Sequence, residues 1–368
     1  MRTVRLALCV CLLAALCAVS SHAQTVAEGE WINLFDGEST YGWTQFGDAA
    51  WEVKDGVLVC EKGTSGFLAT TSQFADFELT AKIRVTGGGS AGFAVRTGIE
   101  GFAAETGGGA LSIPAGKDEF NEIHVKAVGG SVELSLNGSA VPVTVTRPLG
   151  YVAIQYQRYH GDKRPPKLAV SEVKLRPLGL TPLFNGTDLT GWNIIPDHKS
   201  KFAVVDGALN ITDGNGQIET AGTYKDFALQ LDIFSNGDHL NSGVFFRTPV
   251  GVFWKGYESQ VRNEWVKDDR TKPVDFGTGG AYGLCPARKV VSSDREWFKK
   301  TVIANGNHIA VWINGYQVSD FYDTRPVHAE ADGKNGYVPD AGTINLQGHD
   351  PTTNLSFKNI NIQTYPGK

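Results

Sequence analysis

The 368-residue chain has one methionine, five cysteines and no run rich in lysine and arginine, and its formal net charge is −5. Without a basic run, the phosphate-neutralising surface of a nucleic-acid binder is not expected. No Cys-x-x-Cys pair or zinc-type cysteine cluster occurs, so a dithiol redox motif and a structural zinc site are excluded as leading readings. Apolar residues sustain no long stretch with a 3.6-residue period, which argues against long amphipathic helices. What the chain does have is 44 glycines, 19 phenylalanines and 8 tryptophans, a mixture suited to turns and strands. Hydrophobic residues make up 41% and charged residues 20%, enough to bury a core and too apolar for wholesale disorder. At about 150 residues per domain, the length suggests two domains.

Residues 1–23 read as a secretory signal. Arg2 and Arg5 precede an apolar run, Leu6 to Val19, that is short for a membrane span. Ser21-His22-Ala23 then offers a small-x-small cleavage site, with an uncleaved anchor as the alternative. The mature chain would have 345 residues and a net charge of −7, no membrane span, and a secreted or periplasmic location. Cys9, Cys11 and Cys17 leave with the signal. Cys60 and Cys285 remain, one in each half; an exported compartment permits a bridge, and two separate small buried residues suit the sequence equally.

Internal duplication organises the rest. Leu34-Phe-Asp-Gly37 returns as Leu183-Phe-Asn-Gly186, and Gly42-Trp43 as Gly191-Trp192, both at an offset of 149. Gly92-Phe-Ala-Val-Arg-Thr97 returns as Gly243-Val-Phe-Phe-Arg-Thr248 at an offset of 151, and Leu136-Asn-Gly138 as Ile313-Asn-Gly315 at 177. The second copy therefore carries 26 extra residues between Thr248 and Glu296. Two homologous domains follow, 24–178 and 179–368. Within them the signal is period-2 alternation: Phe77, Leu79, Ala81, Ile83 and Val85 share one face, and Phe227, Leu229, Leu231 and Ile233 repeat it. Asn-Gly, Asp-Gly and Gly-Gly pairs punctuate the runs as hairpin turns. The expected fold class is all-β, two tandem antiparallel β-sandwiches.

Several blocks of the second copy carry a family resemblance: Asn241-Ser-Gly243-x-x-x-Arg247, Gly256-Tyr-Glu258-x-Gln260, Gly280-Ala-Tyr282-Gly-Leu284, Glu296-Trp297, Trp312-x-Asn314-Gly315, Gly342-x-Ile-x-Leu-Gln347-x-His349 and Phe357-Lys-Asn-Ile360. Their order resembles the 3-keto-disaccharide hydrolases, also described as 3-keto-glucoside lyases and 3-keto-2-hydroxyglucal hydratases. The resemblance implies a jelly roll of the concanavalin A-like lectin/glucanase type and a 3-keto-glycoside substrate. It covers nearly all of 180–365, and 31–178 more weakly. The first copy lacks the Tyr-Glu-x-Gln segment and has Gln157 opposite His349, so a single site in the second domain is expected and the first domain is read as degenerate. Where the family often shows an aspartate, three residues after the glutamine, this chain has Asn263.

In a 3-keto sugar the ketone acidifies the C2 hydrogen. A base removes it, an enolate forms, the C1 oxygen leaves by β-elimination, and water adds to the resulting glucal. Such chemistry needs a base, a donor or metal for the enolate oxygen, and an acid for the leaving group. Glu258 is the candidate base and His349 the candidate acid/base; a solvated strand carboxylate and a structural histidine are the bland alternatives. Gln260, Gln347, Tyr282 and Asn241 are candidate substrate contacts. Trp254 and Trp265, both in the inserted segment, are candidate stacking platforms for a sugar ring. Arg247 suits substrate hydroxyls, although its twin Arg96 in the poorer copy favours a structural ion pair. Asp238 and His239 are weak candidates for a divalent metal; the metal requirement stays open, and no nucleotide cofactor is expected. The expected partner is a sugar or glycoside, with the oligomeric state open. A carbohydrate-binding protein without turnover is the rival reading, since one fold hosts both.

Overall fold

The computed structural model describes residues 28–101, 106–159, 161 and 164–367. The signal-peptide reading of 1–23 lies outside the described residues. No α-helix occurs among them. Each half is a sandwich of one eight-stranded and one five-stranded antiparallel sheet, the jelly-roll architecture that the resemblance implied. In the second half the five-stranded sheet runs in the order Trp192–Ile194, Gly216–Thr220, Thr343–Gly348, Ser242–Thr248, Tyr257–Val261. Its inward face is apolar: Ile218, Leu346, Val244 and Phe246 meet Leu229, Ile233, Val302 and Phe357 of the larger sheet. The first half repeats the order with Trp43–Gly47, Ser65–Thr70, Tyr151–Gln157, Ser90–Thr97 and Gly109–Pro114.

The alternation read from sequence is realised literally in Phe77–Thr86, where every second residue is buried. Its repeat, Phe227–Ser235, is buried on both faces, because the first half packs against the outer face of this larger sheet. Ala228, Ile303, Ala310 and Trp312 point out of the second sandwich and join the apolar cluster of the first. Polar contacts rim the junction. Trp312 Nε1 donates to the Asn33 carbonyl (3.1 Å), Gln230 Nε2 to the Glu30 carbonyl (3.0 Å), and Arg288 to the Asp36 carboxylate (2.6 Å). The Arg288 guanidinium also lies over Tyr41 and Tyr316.

The first half thus seals the back of the second. A fragment of residues 179–368 alone would expose the Trp312 indole, 1% accessible in the whole chain, together with Ile303. Each large apolar side chain returned to water costs roughly 1.5–3 kcal/mol. The fragment should therefore melt on the order of 10 °C below the intact chain in a thermal scan, while keeping whatever ligand binding the whole protein shows. An unchanged melting temperature would remove the first half from the stability argument. Cys60, buried on Val57–Lys62, and Cys285, in a loop of the second half, are both free thiols, which resolves the pairing question in favour of two separate residues.

Candidate active site

The outward face of the second half's small sheet is polar where the inward face is apolar. Gln217, Glu219, Phe245, Glu258, Gln260, Asn345 and Gln347 alternate with the core residues, as strand geometry requires. Register brings Gln217 opposite Gln347, Phe245 opposite both Asn345 and Glu258, and Gly243 opposite Gln260. Three connecting segments rise over this face and bury most of it: 249–256, 262–296 and 331–337. Together they enclose a cavity of about 490 Å³, with Asn241, Trp254, Glu258, Gln260, Tyr282, Gln347 and His349 in its lining. Seven of the nine residues expected at the site therefore converge on one concavity.

The walls are tied to the floor. The Glu219 carboxylate, 3% exposed, accepts from Gly251 N through both oxygens and from Thr343 Oγ1. Gln217 Oε1 accepts from Trp254 N (3.0 Å). These bonds fix a partly exposed Trp254 at the rim, in a run of rings with His198, Phe253 and His349. The 331–337 wall hangs on Arg325, which donates to the carbonyls of Gly333, Lys334 and Gly336 and pairs with Asp323. Tyr257, on the core side, donates to the same Asp323 (2.7 Å).

Among the described residues, four buried polar atoms on or beside the cavity floor have no hydrogen-bond partner: Gln217 Nε2, Asn241 Oδ1, Asn345 Nδ2 and Gln347 Oε1. Two are donors and two are acceptors. Native proteins seldom leave such groups unpaired, since each costs roughly 1–3 kcal/mol when it loses its partner. Two of the four, Asn241 Oδ1 and Gln347 Oε1, belong to residues that line the cavity, where a ring bearing hydroxyls would supply partners.

Glu258 sits half-buried among them. Burial pushes its carboxyl from the ordinary 4.5 up to about 8; the Lys300 and Lys334 ammoniums pull it down and the Asp275 carboxylate pushes it up. Its position depends on Gly243. A Cβ there would come within 2.7 Å of Glu258 Cγ and 2.8 Å of Cδ, and nearer still to Oε1, so the glycine lets the carboxyl lie across the neighbouring strand. Gln260 donates to Asp275 Oδ2 (3.1 Å), as does Asn241 Nδ2 (3.1 Å). At the far end, His349 Nδ1 lies 3.0 Å from Asp350 Oδ2, a contact that orients the ring.

Two expected contacts lie elsewhere. Arg247 is 1% exposed and takes a positive φ of 54° where the strand pairing with Thr343–Gly348 shifts register. The bulge turns its guanidinium beneath the sheet, to Asp226 (3.0 Å) and the carbonyls of Lys225 and Val338. Arg96 does the same with Asp76 and Ala75 in the first half, so this arginine is a strut of the fold. Trp265 does not line the cavity either. The 262–276 stretch folds back on itself, with Val266 N donating to the Lys272 carbonyl, and Trp265 packs under the Arg270 guanidinium, 4.0 Å from the ring centre. Asn263 is a clamp for the same segment: it donates to Asp294, and its Oδ1 accepts from both Thr278 and Ser292. Asp238 pairs with Arg295, and the His239 ring meets the Asn263 carbonyl. Among the described residues no three His, Cys, Asp or Glu side chains gather as a metal would need.

Sequence reading missed Lys334, Asp332 and Asn335 in the cavity lining. Lys334 is exposed, its ammonium stands 4.9 Å from the Tyr282 ring, and no ion pair holds it among the described residues. In the first half the same backbone face carries Ala69, Ala94 and Ala153 where the second has Glu219, Phe245 and Asn345, packed with Phe46, Phe67 and Tyr151. Ala110 takes the register position of Glu258. The first half has the sheet without the site.

A jelly roll whose concave sheet presents amide side chains, a half-buried carboxyl and a rim tryptophan defines a carbohydrate-active protein. The chain belongs to the family of 3-keto-alpha-glucoside-1,2-lyase-like domains, whose model matches it twice, over residues 30–165 and 179–363. Solved structures similar to it include a candidate glycosyl hydrolase from Parabacteroides distasonis ATCC 8503, 24% identical over 51% of this chain and 94% of that one, with a TM-score of 0.42. Another is the carbohydrate-binding module CBM66 from Bacillus subtilis, 16% identical over 49% of this chain and 99% of that one, TM-score 0.36. A third is an endo-beta-1,3-glucanase from Pyrococcus furiosus, 13% identical over 42% of this chain and 98% of that one, TM-score 0.31. No curated protein matches the chain.

Proposed function

We propose that the protein is an exported enzyme that cleaves 3-keto-glycosides in its second domain, by base-initiated elimination followed by addition of water. The observation that carries the reading is one cavity lined both by the amide side chains of Asn241, Gln260 and Gln347 and by the carboxyl of Glu258, whose pKa burial raises. The amides take the ring hydroxyls. Glu258, when ionised, is a stronger base than an ordinary carboxylate and removes the C2 hydrogen. The unpaired Lys334 ammonium supplies positive charge for the enolate oxygen at C3. His349, oriented by Asp350, protonates the departing C1 oxygen. The rim at Trp254 and His349 leaves the aglycone at the cavity mouth.

The test is incubation with a 3-keto-glucoside, following loss of the keto sugar and release of the aglycone, beside the same glucoside without the ketone. Turnover of the keto form alone supports the reading. Binding of the sugar with no turnover of either form replaces it with the lectin-like one, for which the amide floor serves equally well.

A further inference from the structure

Lys300 is fully buried and lies outside the cavity lining. It lies on Trp297–Asn305, sharing the inward face with Phe298 and Val302, and it crosses the sandwich to the underside of the strand Tyr257–Val261. Its Nζ donates to the carbonyls of Ser259 (2.9 Å) and Gln260 (2.8 Å) and lies 3.0 Å from Ser259 Oγ. Carbonyls only accept, so two N–H bonds are committed to them. The third partner is a hydroxyl, which accepts from an ammonium and donates to a neutral amine. Rotation of one hydroxyl therefore satisfies the lysine in either protonation state.

A strut needs no such adaptability, and apolar side chains usually fill such a space at lower cost than a buried charge. Glu258 leaves the other face of the same strand, one residue before Ser259. Burial lowers the Lys300 ammonium far below the ordinary lysine range, and the charge that opposes this is Glu258. In return, Lys300 exerts the largest effect of any charge on Glu258, ahead of Asp275 and Lys334. The remaining titratable groups around the carboxyl are Asp332 from the 331–337 wall, His349 at the end of Thr343–Gly348, and Tyr282 from the inserted segment.

We propose that Lys300 is a positioning residue for Glu258, which clamps the strand that carries the carboxyl and stands behind it as its charge partner, so setting the pH at which the base gives and takes its proton. The inference rests on Glu258 being the base of the proposed reaction. Two measurements test it. In an NMR titration read at the Lys300 side chain, the wild-type midpoint should lie well below that of an ordinary lysine, and Glu258→Gln, which faces the cavity, should lower it by a further unit or more. In pH profiles of kcat/KM on a 3-keto-glucoside, Lys300→Met should move the limb that reports the base upward by a unit or more, a tenfold loss at neutral pH for each unit. A Lys300 midpoint indifferent to Glu258→Gln overturns the proposal whatever the activity, and so does an unmoved limb in a folded Lys300→Met protein. A lowered midpoint supports it even where Lys300→Met does not fold. Absence of wild-type turnover would remove the base assignment, and the NMR result alone would then decide the pairing of Lys300 with Glu258.

Discussion

Replacing Glu258 with glutamine should cut kcat/KM on a 3-keto-glucoside by roughly 10²–10⁴-fold, the range for loss of a positioned general base. Glutamine keeps the shape and the polarity, so the fold should persist. The same variant has a stability signature with a definite sign. The folded-state carboxyl keeps its proton up to about 8, whereas the unfolded chain releases it near 4.5. The folded protein thus binds the extra proton between those values, and this group's contribution to stability is complete below the lower value and falls as pH rises to the upper one. Glutamine does not titrate. The melting temperature of the variant relative to wild type should therefore climb from about pH 5 to pH 8. Wild-type activity should rise over the upper part of the same window, as the carboxyl ionises. A variant with full activity, or a gap in melting temperature that does not change with pH, would rule out Glu258 as a buried base.

The second large effect is expected at a position with no functional group. Gly243→Ala adds one methyl where the Glu258 side chain lies, with Cγ at 2.7 Å and Cδ at 2.8 Å from the new carbon. The atoms in the way belong to the far end of a flexible chain, and Gly243 has no positive φ, so the backbone accepts alanine. The carboxyl must swing aside instead. A shift of about 1 Å in a reacting group can cost on the order of 10²-fold, so kcat/KM should fall by roughly 10–10²-fold with the melting temperature within a few degrees of wild type. Unfolding of the variant, or undiminished turnover, would show that the glycine serves the sheet and not the carboxyl.

Much of the fold was legible because strand physics writes itself locally. Phe77 to Val85 alternate, turn glycines interrupt the runs, and the repeat offsets locate the insertion. Among the site residues, Glu258, Gln260 and Tyr282 were legible because they fall where the two copies diverge. Lys334 and Asp332 were not, since they belong to a loop whose approach to the floor is set by Arg325 holding three of its carbonyls, a tertiary fact. Gln217 and Asn345 look like solvent-facing strand residues until the inserted segments cover them. Lys300 did leave a signal: in Phe298-Lys-Lys-Thr-Val302, two apolar residues four apart place the second lysine on the inward face. The structural ion pair of Arg247 was legible through its twin Arg96, whereas the bulge that turns it beneath the sheet was not, since a bulge reverses the parity on which alternation depends.

The alanines of the first half give the molecule an internal blank. One polypeptide displays the same backbone surface twice, once furnished and once bare, in the same solvent and at the same concentration. Whatever a ligand does at both copies belongs to the scaffold, and whatever it does at one belongs to the furniture. The substitutions that separate the two, Ala69 to Glu219, Ala94 to Phe245, Ala110 to Glu258 and Ala153 to Asn345, also name the first side chains to install if the bare copy is to be made to recognise a sugar.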